Sequence, residues 1–315
     1  MSTYAELKAA VRGYLQRTVT VTDILPGSST DVDTELDRMI LRGANNAVRR
    51  AENLCDFAEN EVEASVIVPA GQSVSLDRVT DTLTGNEVSM RKVLEGVYSY
   101  TTNGQTGSWP VKLMSKKEYQ RYKHNLGSVN RVVGVLRNNR LSFEPALDED
   151  VTLTIEGYAA FPRIYEHVIE ITALDGGSAY FGEYNSTGIA NGKLVYTRYV
   201  NGVLLGTFLY TGTEWHFNDA DDVTLVSSTE DVASPDLVTV WDDVSFVVED
   251  VQKEHYLIKN AFEYMQWQTL VECNHFLKIF VPRQEGNLAP PEKLADRALG
   301  EFIRDEEFRY TGLNS

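Results

Sequence analysis

"NGKLVYTRYVNGVLLGTFLYTGTEWHFND", residues Asn191 to Asp219, alternates aromatic and β-branched side chains with polar ones and marks turns at Asn201-Gly202 and Thr211-Gly212. A period of two broken by Gly-containing dipeptides is the pattern of strands joined by tight turns. Outward from it, nearly everything from about Ile169 to Asp243 reads as strand and turn. Both ends of the chain read as helix instead. The stretch therefore decides the fold class, a helical frame interrupted by a compact β-meander.

The frame opens on Thr3-Tyr4-Ala5-Glu6, which has the form of a capping box, and Tyr4, Leu7, Val11 and Tyr14 follow at helical spacing to about Arg17. A loop over Thr18 to Thr30 leads to a longer helix with the apolar stripe Leu36, Met39, Ile40, Gly43, Ala47, Val48, Ala51 and Leu54. Small residues at its centre predict close helix–helix approach. Arg38, Arg42, Arg49 and Arg50 lie along the same helix, as a solvated face or as a contact for an acidic partner subunit.

From Glu63 the texture becomes β. "EASVIVPAGQSVSLDRV" and "VSMRKVLEGVYSY" read as strands, and Ser115-Lys116-Lys117-Glu118 repeats the capping box before a short helix through "EYQRY". A hairpin follows, "RVVGVL" turning at Asn138-Asn139 into "RLSFEPA". In "VTLTIEGYA", Val151, Leu153 and Ile155 face one way while Thr152, Thr154 and Glu156 face the other, as in a half-buried strand. Phe161-Pro162 ends this part. After the meander, helix is expected from about Glu249, with Leu257, Ile258, Ala261, Phe262 and Met265 on one face and a stop at Pro282. A last helix has proline in its first turn, and "RYTGLNS" carries no helical pattern.

The resulting fold class is α+β. N-terminal helices occupy 1–60, a β-sandwich-like unit 61–165, an inserted all-β module 166–245, and C-terminal helices with a tail 246–315. Narrow apolar stripes cannot be buried alone, so the terminal helices are expected to pack on one another as a bundle.

Composition limits function. The 315 residues suffice for two domains or for one with an insertion, and no apolar run approaches the length of a bilayer span. The start of the chain lacks the basic-then-apolar pattern of a secretory leader, which predicts folding in a cytoplasm. The only cysteines, Cys55 and Cys273, read as buried thiols. Neither they nor His275 and the scattered His124, His167, His216 and His255 have the spacing of a zinc site, so no metal is expected. A net charge of −17 repels nucleic acid on average, yet suits a wall around a DNA path that must not stick.

No nucleophile elbow, P-loop or dinucleotide fingerprint is present, so no enzyme, catalytic residue or cofactor is expected. Glu214 with Asp219, or Glu230 with Asp231, are the acidic pairs that a glycosidase reading would need. Asn218, Asp219, Asp221 and Asp222 offer oxygens for calcium but lack the glycine and distant glutamate of the twelve-residue loop, and read as a solvated turn.

Several stretches together resemble tailed-phage head–tail adaptor (connector) proteins. They are "TYAELKAAVRGYL" with "TELDRMILRGANNAVRRAENLCDFAE", "WPVKLMSKKEYQRY", "NNRLSFEPALDEDVTLTIEGYAAFPRI" and "HYLIKNAFEYMQWQTL". The resemblance covers a little over half the chain and rests on order and texture. It implies a virion structural protein, assembled in the host cytoplasm and placed at the head–tail junction. Copies would form a ring, commonly of about twelve, between the portal protein and a tail nozzle or tail-tube protein. DNA would pass through during ejection without sequence-specific binding or membrane contact. The C-terminal segment would reach the portal, with Phe302, Phe308 and Tyr310 as docking anchors. The meander departs from the family pattern. A carbohydrate- or receptor-binding module is the alternative reading, with Tyr196, Tyr199 and Trp215 as a stacking face, unless those aromatics, with Tyr210 and Trp241, fill a core.

Overall fold

A computed structural model describes residues 3–18, 32–85, 87–102, 105–125, 132–200, 203–251, 254–277 and 291–312. It is mixed α+β, with six α-helices among the described residues and large antiparallel sheets. The chain divides into two compact units, one formed by residues 1–51 with 162–315 and the other by 52–161.

The second unit carries strands β1 (Glu61–Val68), β2 (Ser73–Ser75), β3 (Val79–Asp81), β4 (Glu87–Val88), β5 (Met90–Thr102) and β6 (Gln105–Pro110). It continues with β7 (Lys112–Ser115), β8 (Val133–Arg137), β9 (Arg140–Glu144) and β10 (Val151–Ala159). Six of them form a sheet in the order β4-β3-β1-β10-β5-β6, and a smaller sheet runs β2-β9-β8-β7. Residues of both sheets share one core, with Ala64 and Val68 of β1, Leu141 and Phe143 of β9, and Leu153 and Ile155 of β10 buried together. The alternation read in β10 is present: Val151, Leu153 and Ile155 are inside and Thr152 and Glu156 outside. Asn138 and Asn139 turn the β8–β9 hairpin with φ of 47° and 59°, a conformation that asparagine tolerates better than most residues.

In the first unit, the helices before the sheet are α1 (Tyr4–Thr18) and α2 (Val32–Leu54). Helix α3 (Lys116–Asn125) belongs to the second unit; α4 (Tyr256–Asn260), α5 (Phe262–Leu277) and α6 (Pro291–Gly312) return to the first. Both capping boxes form: Thr3 and Glu6 exchange amide-to-side-chain bonds of 3.0 and 3.3 Å, and Ser115 and Glu118 do so at 2.8 and 3.3 Å. The α2 stripe is buried at Leu36, Ile40, Ala47, Val48 and Ala51, whereas Leu54 is exposed. Close approach occurs at Gly43. A methyl group there would lie 3.1 Å from the Thr269 carbonyl oxygen and 3.2 Å from the Cys273 sulfur, so α2 and α5 meet where the side chain is missing. The Tyr264 hydroxyl donates to the Ala47 carbonyl at 2.9 Å across the same contact. Helix α5 also packs on α1 and α6.

The meander is a single antiparallel sheet. Its strands are β11 (Val168–Ala173), β12 (Gly182–Ala190), β13 (Lys193–Val200), β14 (Val203–Tyr210), β15 (Trp215–Asp219), β16 (Thr224–Ser228) and β17 (Val247–Asp250), ordered β16-β15-β14-β13-β12-β11-β17. One face buries Tyr184, Tyr196, Phe208, Trp215 and Phe217, and the chain after β16 covers them with Trp241 and Phe246. Phe217 lies diagonally across from Gly206, which pairs with Asp219, and its ring needs a glycine there because a Cβ at that position would lie 2.8 Å from it. The turn read at Thr211-Gly212 joins β14 to β15, while Asn201-Gly202 lies outside the described residues.

Three expectations change. Helix does not start near Glu249: Val247–Asp250 is a strand, its backbone paired with β11, and α4 begins only at Tyr256. The helical face then breaks at Ala261, whose φ of −131° and ψ of 42° are not helical. At the other end, α6 starts with Pro291 at its first position and runs to Gly312, through residues that showed no helical pattern. The expected loop at 18–30 and the stop at Pro282 fall on residues outside those described, apart from Thr18, which closes α1.

Candidate functional site

The segment Pro162 to His167 feeds β11 and holds a polar network. Asn45 on α2 faces the backbone of Ile164: its Oδ1 accepts from the Ile164 amide and its Nδ2 donates to the Ile164 carbonyl, both at 3.0 Å. The Nδ2 group also donates to the Leu41 carbonyl at 3.0 Å. Glu166 receives Lys8 at 3.1 Å. His167 exchanges backbone-to-Ser186 bonds with β12 and stands between the Tyr196 hydroxyl, 2.7 Å from Nδ1, and Asp250, 2.9 Å from Nε2. Residues 162–167 and Asp250, together with Tyr4, Glu254, His255 and Ile258, wall a cleft of about 770 Å³.

The line Tyr196–His167–Asp250 has the connectivity of a proton relay, but its terminal group is unsuited to attack. Tyr196 is fully buried, and that burial, followed by the charges of Asp236, Glu166 and Asp250, raises its hydroxyl pKa above the ordinary value. A phenol made harder to ionise is not a nucleophile near neutral pH. With Asp250 as acceptor, Nε2 donates, and the ring between Tyr196 and Asp250 ties β13 to β17. The Tyr4 hydroxyl, which has no hydrogen-bond partner among the described residues, is likewise raised by burial and then by Glu166 and Asp37.

His255 caps α4. Its Nδ1 accepts from the Leu257 amide at 3.3 Å while Nε2 donates to the Pro162 carbonyl at 3.2 Å. Only 8% of the residue is exposed, and burial lowers its pKa from 6.5 to about 4. The unfolded chain therefore takes up this proton first. The cost to the fold is absent above pH 6.5 and grows as pH falls toward about 4, reaching at most about 3 kcal/mol. His255→Asn keeps a capping acceptor that does not titrate. Urea midpoints from about pH 7.5 to about pH 4.5 are expected to fall more steeply for the native chain than for this variant. Parallel slopes would mean that His255 is not held neutral.

The sequence-derived sites are dispersed. Tyr196 and Trp215 are both 0% exposed, so they cannot form a sugar-stacking face; only Tyr199, 60% exposed near the end of β13, faces solvent. Trp215 donates from Nε1 to the Val232 carbonyl at 3.1 Å, and the Lys193 ammonium lies 3.5 Å from the Tyr210 ring centroid while bonding to Asp231. Tyr196, Tyr210, Trp215 and Trp241 fill a core, as the other reading had it, and Tyr199 does not. Phe302 is 8% exposed with its ring 6.4 Å from that of Tyr256, which places it inside the helical packing and not at a docking surface. Phe308 and Tyr310 lie on the α6 backbone, and their side chains fall outside the described residues.

The acidic pairs also have local partners. Glu214 and Asp219 flank β15, roughly 17 Å apart along an extended strand, too far for paired catalysis at ~5–10 Å. Glu230 accepts from the Thr239 amide and hydroxyl, and Asp231 from Lys193. In the turn after β15, Asp219 Oδ1 accepts from the amides of Asp221 and Val223, both at 2.9 Å, and Asn218 donates to Asp222 at 2.7 Å. Among the described residues no three His, Cys, Asp or Glu side chains gather as metal ligands. Cys273 is buried against α2, where desolvation pushes its thiol up to about 12. No helix among the described residues is long and apolar enough to cross a membrane.

The sheets carry another feature. On the six-stranded sheet, register places Glu63, Glu156 and Glu95 opposite one another on β1, β10 and β5, all exposed. On the seven-stranded sheet it does the same for Glu183, Glu170 and Glu249 on β12, β11 and β17. Like charges directly opposite are destabilising by some tenths of a kcal/mol each. No protein-family model matches the chain, and no curated protein matches it. Reading the sequence missed Asn45, His167, His255 and both glutamate rows, since each depends on partners distant in the chain.

Proposed function

We propose that the protein is a structural component of a tailed-phage virion, a head–tail adaptor whose copies close into a ring between portal and tail. The observation that carries this reading is the meeting of α2 with α5 at Gly43, Thr269 and Cys273, which joins the two ends of the chain. We read α1, α2, α5 and α6 as one bundle, the rigid element that a ring wall requires, with the β-regions inserted in the sequence between its halves. This is the helix–β–helix order on which the resemblance to adaptor proteins rests. A closed ring uses heterologous contacts whose rotation returns to the start. The charge of −17 and the two glutamate rows support a wall past which DNA moves without adhering.

Cryo-electron microscopy of the protein mixed with portal rings of its own phage tests the proposal. The expected result is a closed ring stacked on one end of the portal. Density for this chain on a fibre or on the capsid surface, with the portal end bare, would rule the adaptor reading out.

A further inference from the structure

Helix α3 and the strand before it reverse the charge of the chain. Lys112, Lys116, Lys117, Arg121 and Lys123 give the stretch 112–123 a net charge of +4 in a chain of −17, and no other twelve residues of the sequence hold five cations. All five are exposed, and among the described residues none of them forms an ion pair. The arginines of α2 differ: Arg50 lies 3.6 Å from Asp296, and Arg38 and Arg42 already interact within the chain. The fold gathers the cations on one side. Tyr119 and Tyr122 pack α3 on Met114, Val133 and Val135. At 100° per residue, Lys116, Lys117, Arg121 and Lys123 then share an arc of about 160° facing away from that contact, with Gln120 among them and Glu118 outside it. Strands β7 and β8, on which the helix packs, contain no acidic residue.

This placement works against the helix. Lys116 and Lys117 occupy its first turn, where the dipole disfavours cations, and Lys117 and Arg121 are like charges at i and i+4. The capping box of Ser115 and Glu118 offsets part of that cost. A polyanion brought against the arc removes the repulsion, and the donors present select its kind. Protein–protein contacts are centred on apolar or aromatic anchors and are poor in lysine, whereas phosphates are held by Lys, Arg and Gln side chains. Three of the four cations of the arc are lysines, Gln120 lies between them, and no apolar side chain shares it.

We propose that the α3 arc is a sequence-independent contact for the phosphate backbone of duplex DNA. The inference rests on the adaptor reading, which supplies the DNA, and assigns the contact to named side chains. Duplex DNA carries one charge per about 1.7 Å, and exposed charges elsewhere on the chain are screened beyond about 10 Å at 0.1 M salt. The local +4, and not the overall −17, therefore governs the contact. Such a contact releases counterions and reads no bases, so DNA slides along it instead of being fixed. In a ring, every copy repeats the patch.

Fluorescence anisotropy of a labelled random-sequence duplex, titrated with the full-length chain, tests it. The native chain should bind with a Kd of about 100 μM or tighter at about 50 mM salt, and log K should fall against log salt with a slope of about −4. A variant with Lys116→Gln, Lys117→Gln, Arg121→Gln and Lys123→Gln should bind at least about tenfold more weakly, its slope reduced by about 3–4. Glutamine matches lysine as a helix former and relieves the like-charge pair, so the variant should keep the native circular dichroism spectrum. Arg49→Gln, at an exposed site on α2, should bind as the native chain does. Native affinity in the four-site variant, or a native chain that binds no duplex at about 50 mM salt, overturns the proposal. Binding of polyglutamate without binding of duplex overturns it too, and assigns the arc to an acidic protein. These outcomes leave the ring to the portal experiment. A bare portal end, with duplex binding lost in the variant, would remove the adaptor reading and leave the phosphate contact standing.

Discussion

Trp215→Ala is expected to cost the first unit about 3–5 kcal/mol, the range for removing a large aromatic from a packed core. Trp215 is 0% exposed, its ring centroid lies 5.5 Å from that of Tyr210, and Tyr210 in turn stacks under the Lys193 ammonium. The substitution leaves a cavity under the chain that covers the sheet after β16. It also removes the Nε1 donor to Val232, although Lys193 still donates to that carbonyl at 2.6 Å. Hydrogen exchange should show protection falling first across β13 to β16 and in the covering segment. Tyr199→Ala, at a site 60% exposed, should change stability by no more than about 0.5 kcal/mol. Native protection in Trp215→Ala would mean that the aromatic cluster is not what holds the meander.

The comparison changes how a glycan-binding role can be tested. Loss of binding in Trp215→Ala would report unfolding, whereas Tyr199 is the one proposed stacking residue whose removal leaves the core intact.

Local chemistry made much of this architecture readable. Thr3 with Glu6 and Ser115 with Glu118 satisfy amides three residues away, so the capping boxes needed no tertiary information. The alternation of Val151 to Glu156 and the Asn138-Asn139 turn are equally local. The aromatics of Asn191 to Asp219 sit at strand spacing, and their burial is what such spacing most often means. Val247–Asp250 differs in kind. "VVED" runs directly into a helix-forming sequence, and its strand state is imposed by pairing with Glu170 and Ile171 of β11. The tail error has a similar origin: Arg309 to Gly312 lack a periodic stripe, yet they continue a helix nucleated at Pro291. Of the site, nothing in the spacing links Asn45 to Ile164 or His255 to Pro162. Histidines that looked scattered are brought to one segment by the sheet and by the N-terminus of α4.

Asn45→Ala is expected to cost about 2–4 kcal/mol, because it orphans two backbone groups at once. Ile164 is 6% exposed, so water does not readily replace the side-chain amide that pairs with both its N–H and its C=O. Asn45→Asp separates the two halves of that bond. The carboxylate can still accept from the Ile164 amide, but it faces the carbonyls of Ile164 and Leu41 with no proton to offer. At neutral pH it should be at least as damaging as alanine. Lowering the pH through the carboxyl titration supplies an O–H donor, so Asn45→Asp should gain on Asn45→Ala in acid, a crossing that a loss of packing alone would not produce. Exchange of the Ile164 amide gives the direct readout. If that amide stays as protected in both variants as in the native chain, Asn45 does not anchor the segment. The cleft beside Glu166, His167 and His255 would then owe its shape to β11 and the helix cap alone.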